Sequence, residues 1–182
     1  MMKRRNFVFA LTISTIAAIL APSLVGAAEE PIPTVRATSD VDAGRYLMIV
    51  GACHDCHTDG WAETNGALPE TDWLKGSAIG WRGPWGTTYA SNLRLLAAGM
   101  TEDAWVTMLR TRNDRPPMPW MNVNRLSETD ARAIYRYIRW LGVAGDRMPL
   151  ATAPNVEPTT PYFLLEPVGP RRLSAELAED KQ

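Results

Sequence analysis

Residues 53–57 read Cys53-His54-Asp55-Cys56-His57 and hold both cysteines and both histidines of the 182-residue chain. Thiols and imidazoles confined to five positions define one chemical centre. The spacing C-x-x-C-H suits covalent haem attachment. Two thiols add across two vinyl groups, and the adjacent imidazole is placed to bind the iron. Cys53 and Cys56 are the expected thioether positions for one haem c, and His57 is the expected proximal ligand.

The opposite face of that iron needs its own ligand or stays open. His54 is tethered between the two linking cysteines and cannot easily swing round, so bis-histidine ligation is nearly excluded. Beyond the first residues the methionines are Met48, Met100, Met108, Met118, Met121 and Met148. Met118 lies in Arg115-Pro116-Pro117-Met118-Pro119-Trp120. Prolines on both sides hold the backbone extended and remove amide donors. Such a loop can present a thioether with little entropy left to lose. Met118 is the expected sixth ligand and Met121 its main competitor; the plainer alternative is a Pro-rich turn with a gap-filling methionine. His/Met ligation raises the reduction potential and leaves no vacant position for oxygen or peroxide, which points to one-electron transfer rather than enzyme catalysis.

Three other readings of the same residues follow. An open sixth position would make a haem peroxidase or gas-binding protein. A haem-free Cys-x-x-Cys would be a disulfide oxidoreductase, which needs a depressed cysteine pKa and a βαβ scaffold; no strand pattern surrounds residue 53. A zinc site would have all its ligands in one segment, with no second segment to clamp.

The elements that position these groups are read from periodicity and capping. Lys3, Arg4 and Arg5 precede an apolar run from Phe7 to Leu20 and small residues at Gly26, Ala27 and Ala28. Residues 1–28 thus read as a signal peptide for export, bacterial and periplasmic, with an uncleaved membrane anchor as the alternative. Removing them leaves 16 basic against 20 acidic residues, a net charge of −4 instead of −1, which disfavours nucleic acid as a partner. Residues 29–40 read as an extended arm. A first helix follows, capped by Ser39 or Asp40, with Tyr46, Leu47 and Val50 at helical spacing, leading into Cys53. Thr58 to Ser91 has no sustained period and reads as a long loop. Thr101 caps a second helix bearing Trp105, Met108 and Leu109. Arg112 to Asn124 reads as irregular, its prolines excluding helix. Ser127 opens a third helix with a capping-box-like Ser-Glu-Thr-Asp, an apolar face at Ala131, Ile134, Tyr135, Ile138 and Leu141, and a stop at Gly142. The haem domain is expected over 41–142. A Pro-rich extension over 143–182 carries a short amphipathic segment, Leu173 to Leu177, and either wraps its own domain or docks on a partner.

Taken together, Gly44-Arg45-Tyr46, Cys53–His57, the Met118 loop and the Tyr135–Leu141 helix resemble class I cytochromes c. Gly83-Pro84-Trp85-Gly86-Thr87, Ala90-Ser91-Asn92-Leu93, Thr101-Glu102-Asp103-Ala104-Trp105, Pro117-Met118-Pro119-Trp120 and Leu126-Ser127-Glu128 are similar in order and spacing to bacterial periplasmic cytochrome domains, such as those in cytochrome subunits of membrane-associated alcohol dehydrogenases. The resemblance implies an all-α fold of three to five helices around the haem, with the first and last crossing where Gly44 and Tyr46 or Leu47 meet Tyr135 and Ile138. It implies an electron carrier, or an electron-transfer subunit of an oxidoreductase complex. Such a protein shuttles electrons from a periplasmic dehydrogenase towards the respiratory chain, with an oxidase or another cytochrome as acceptor. Those subunits carry three haem domains and this chain one motif, so the analogy does not supply the partner. Arg82, Trp85, Tyr89, Asn92 and Arg94 are weaker candidates for hydrogen bonds to haem propionates, the alternative being solvated surface residues. Trp105 and Trp120 are candidates for the haem wall, or ordinary core.

Overall fold

A computed structural model describes residues 33–167. The signal-peptide reading of 1–28 and the amphipathic segment Leu173–Leu177 lie outside the described residues. The first helix, α1 (Asp40–Val50), starts where Ser39 accepts a hydrogen bond from the Asp42 amide. One further helical turn, α2 (His54–His57), follows the two-residue kink at Gly51 and Ala52 and one more residue. A 3-10 turn (Glu70–Asp72) leads to the hairpin β1 (Gly80–Gly83) and β2 (Gly86–Tyr89). Then come α3 (Leu93–Ala98), α4 (Glu102–Thr111), α5 (Trp120–Val123) and α6 (Glu128–Leu141), and a last strand, β3 (Tyr162–Leu164).

This overturns the all-α expectation. The described residues form six α-helices, not three to five, together with a three-stranded mixed sheet in the order β2-β1-β3. β1 pairs antiparallel with β2, Gly80 opposite Tyr89, and parallel with β3, Gly80 opposite Tyr162. β1 and β2 were hidden within the expected loop, and β3 within the expected extension, because each has only three or four residues, too short for alternation to register, and three of the four hairpin ends are glycine. The turn itself is written in Gly83-Pro84-Trp85-Gly86, ahead of the β-favouring Thr87-Thr88-Tyr89, with Gly86 at φ 99°. The expectation of no helix across 112–124 also fails: Pro119 starts the single turn α5, since a proline is tolerated at a helix entry where its missing N–H is not needed.

The core lies where α1, α3 and α4 meet α6. Trp105, Tyr137, Ile134 and Ile138 are buried there with Met48 and Leu74. α1 crosses α6 at Gly44, where a Cβ would stand 2.1 Å from the Ala133 carbonyl oxygen and 2.7 Å from the Tyr137 Cβ. The contacts at the crossing are therefore Ala133 and Tyr137, and Tyr46 is instead exposed. Ser127 caps α6 by accepting from the Asp130 amide at 3.0 Å. The Asp130 carboxylate accepts from the Val35 amide at 2.9 Å, which ties the arm to α6.

The segment after α6 wraps its own domain. Thr152 exchanges backbone hydrogen bonds with Thr87 on the outer edge of β2, at 2.8 and 3.2 Å. β3 then pairs with the outer edge of β1. Between them Arg82 donates to the Val156 carbonyl at 2.9 Å and pairs with Glu157, and Tyr89 bonds Thr160 at 3.0 Å. Residues 152–165 thus form a strap from one hairpin edge to the other. Among the described residues no helix is long and apolar enough to cross a membrane.

Candidate functional site

The Cys53–His57 turn is built by the end of α1. The Gly51 amide closes onto the Leu47 carbonyl at 2.8 Å, and Ala52 takes a left-handed backbone, φ 56°, which turns the chain so that the Cys53 amide meets the Met48 carbonyl at 3.1 Å. A non-glycine residue there is strained by about 1–2 kcal/mol. Both thiols are free and half-buried on this turn. Burial pushes the Cys53 thiol up to about 11, and burial with the nearby Asp55 carboxylate also pushes Cys56 up. A dithiol that works by exchange needs the opposite shift. Among the described residues the parallel strand pair, β1 with β3, follows the motif instead of flanking it.

His57 is buried and fixed at two points. Its backbone carbonyl accepts from the Gly76 amide at 2.8 Å, and its ring Nδ1 lies 2.8 Å from the Ser91 carbonyl oxygen. A carbonyl can only accept, so Nδ1 carries the proton and Nε2 keeps its lone pair. Burial lowers the His57 pKa, which favours the neutral, ligating form. Gly76 makes this geometry possible: a Cβ there would meet the Ala90 oxygen at 2.7 Å and the Asn92 amide at 2.8 Å. Only a bare backbone lets residues 90–92 approach closely enough for Ser91 to reach the ring.

His54 faces away into an aromatic box. It is fully buried, stacked on Trp61 with centroids 4.3 Å apart, edge-on to Trp73 at 4.7 Å, and bonded through Nδ1 to Thr58 at 2.8 Å. Burial lowers its pKa to about 4.

Met118 sits on a separate loop and is half-buried, whereas Met121 is 67% exposed. Met48 is core. Met148 packs on Gly76, beside the His57 backbone. The strand β2 and its continuation reach both halves of the candidate site. Ser91 orients His57, and Thr88 donates its hydroxyl to the Pro116 carbonyl at 2.6 Å. These two anchors are separated by at most about 11 Å of chain.

The remaining candidates divide. Arg94 is buried and donates to the Gly142, Leu141 and Thr71 carbonyls, capping α6. Asn92 caps α3 and donates to the Ala144 and Asp146 carbonyls. With Arg82 and Tyr89 taken by the strap, four of the five propionate candidates are engaged within the protein. Trp85 keeps a buried indole N–H with no partner, as do Trp105 in the core and Trp120 at the start of α5. Ser91, Thr88 and Gly76 were missed from sequence; two of them act through or beside backbone, which leaves no side-chain signature. Of two surface clefts, one of about 550 Å³ beside Asp103 and Arg132 contains none of the candidate residues, and one of about 230 Å³ beside Glu70 and Trp140 contains Arg94 alone.

The donor set fits a haem. Two unpaired thiols share one turn with an imidazole whose Nε2 is left for metal by the Ser91 contact. Among the described residues no three His, Cys, Asp or Glu side chains gather as an all-protein metal cage. No family model matches this chain, and no curated protein or solved structure matches it.

Proposed function

We propose that this chain carries one haem c, linked through Cys53 and Cys56 and ligated by His57 and Met118, and works as an exported one-electron carrier resembling class I cytochromes c in its motifs. The observation that supports it most is the 2.8 Å contact between His57 Nδ1 and the Ser91 carbonyl, beside two free thiols. A histidine ligand typically has its second nitrogen tied to a carbonyl, which fixes the tautomer and the ring plane. The bound haem supplies a one-electron Fe(II)/Fe(III) couple.

The chain's own residues do the rest. Cys53 and Cys56 hold the group so that it cannot dissociate. His57 is kept neutral by burial and oriented by Ser91 and Gly76. Met118, half-buried on a proline-framed loop that Thr88 ties to β2, is better held than the exposed Met121. A thioether in the sixth position excludes oxygen and peroxide, so the protein exchanges electrons with redox partner proteins, a dehydrogenase as donor and an oxidase or cytochrome as acceptor. Export to the periplasm is supported by Lys3 to Arg5 ahead of the apolar Phe7–Leu20 run.

Replacing Met118 with Ala tests the ligation. The ferric wild type is expected to show the Met–iron charge-transfer band at the red end of its spectrum and to resist carbon monoxide when reduced. M118A should lose the band and bind carbon monoxide rapidly. Rapid carbon monoxide binding by the wild type would sink the carrier reading in favour of an open-site haem protein.

A further inference from the structure

The strap and the Met118 loop meet at one side chain. Arg115, three residues before Met118, donates from Nη1 to the Thr152 carbonyl at 2.9 Å and to the Trp85 carbonyl at 3.3 Å. The Thr152 carbonyl also accepts from the Thr87 amide at 3.2 Å, so both its lone pairs are used, one by the hairpin and one by the loop. Thr88 supplies the second tie, to Pro116. Arg115 forms no ion pair among the described residues, whereas Arg112 beside it pairs with Asp114 at 2.7 Å. Its exposed guanidinium donates to two carbonyls, and charge-assisted hydrogen bonds are about twice as strong as neutral ones.

We infer that Arg115 is a positioning residue for Met118, through which the C-terminal strap sets how firmly the sixth ligand is held. This rests on Met118 being that ligand. A thioether binds ferric iron weakly, so loop stiffness decides how readily an added ligand replaces it. Holding the loop from two carbonyls on two segments, the hairpin turn and the strap, limits its excursions. Releasing it lets Met118 leave more often, and the apparent affinity for a competitor rises with the fraction of open protein.

The test is imidazole titration of the ferric holoprotein, followed by the Met–iron band, with Tm measured alongside. R115A is expected to bind imidazole about tenfold tighter than wild type. R115K, which keeps a donor in the same place, should fall between them. T88V, which removes only the Pro116 tie, should shift affinity in the same direction. An unchanged imidazole affinity in R115A, or in R115K should R115A not fold, overturns the inference even if Tm falls, since a merely structural role would lower Tm alone. M118A run in parallel separates the two claims. If it keeps the band, the ligand assignment fails and this inference with it; if it loses the band while R115A titrates like wild type, only the role of Arg115 fails.

Discussion

His57 and His54 stand three residues apart on one turn and meet opposite surroundings. His57 has its Nδ1 directed to a carbonyl; His54 is enclosed by Trp61 and Trp73, with a buried Nε2 that has no partner. The enclosure has a thermodynamic consequence. The folded protein lowers the His54 pKa from 6.5 to about 4, so it favours the neutral ring. That contribution is fully present above pH 6.5 and is lost as pH falls towards 4, where the ring must charge inside the box. Its upper limit is about 3 kcal/mol. Thermal unfolding between pH 7 and 4 should therefore show Tm falling more steeply in wild type than in H54Q, whatever the absolute stability of the variant. Parallel slopes would show that His54 does not titrate on unfolding in this range.

α1 and α6 carry the architecture, and their contact turns on Gly44. A Cβ there would enter the Ala133 carbonyl, so the helices must separate. G44A is expected to cost about 1–3 kcal/mol, against the usual gain from replacing a helical glycine by alanine. Chemical denaturation checks this, and a stabilised G44A would contradict the close crossing. These helices were readable from their caps, Ser39, Thr101 and Ser127, and α6 also from its apolar face, whereas the stripe read on α1 was wrong: Tyr46 and Val50 are exposed and Ala43, Gly44 and Met48 are buried instead. The sheet was not readable, because β1 and β2 are four residues each and their third strand comes from Tyr162–Leu164, about 80 residues on along the chain, a pairing no local pattern announces. The same division holds at the site. Cys53, Cys56 and His57 are adjacent in sequence and legible at once. What orients them, a carbonyl at Ser91 and a bare backbone at Gly76, is tertiary. Neither reading of Arg94, a propionate donor or a solvated surface residue, foresaw that it caps a helix from inside, because a charged side chain gives no sign of that in sequence.

For the whole molecule, the strap converts a two-stranded hairpin, marginal by itself, into part of a sheet whose β2 edge is also covered. A chain ending at Met148 loses β3 and the Thr152 bridge. Hydrogen exchange over residues 80–89 should then rise by at least tenfold while the α1 and α6 amides keep their protection; unchanged protection of the hairpin would show that the strap is not what holds it. The strap supports the Met118 loop through the hairpin, while His57 is held from the end of α1 and by Ser91 just beyond β2. The proposed function stands or falls with covalent attachment of a haem at Cys53 and Cys56. A pyridine haemochrome spectrum of the purified protein tests it most directly. One haem c per chain, resistant to acid-acetone extraction and reduced to a single thioether in C53A or C56A, is the result this account predicts. A purified, folded protein without covalently bound haem would contradict it.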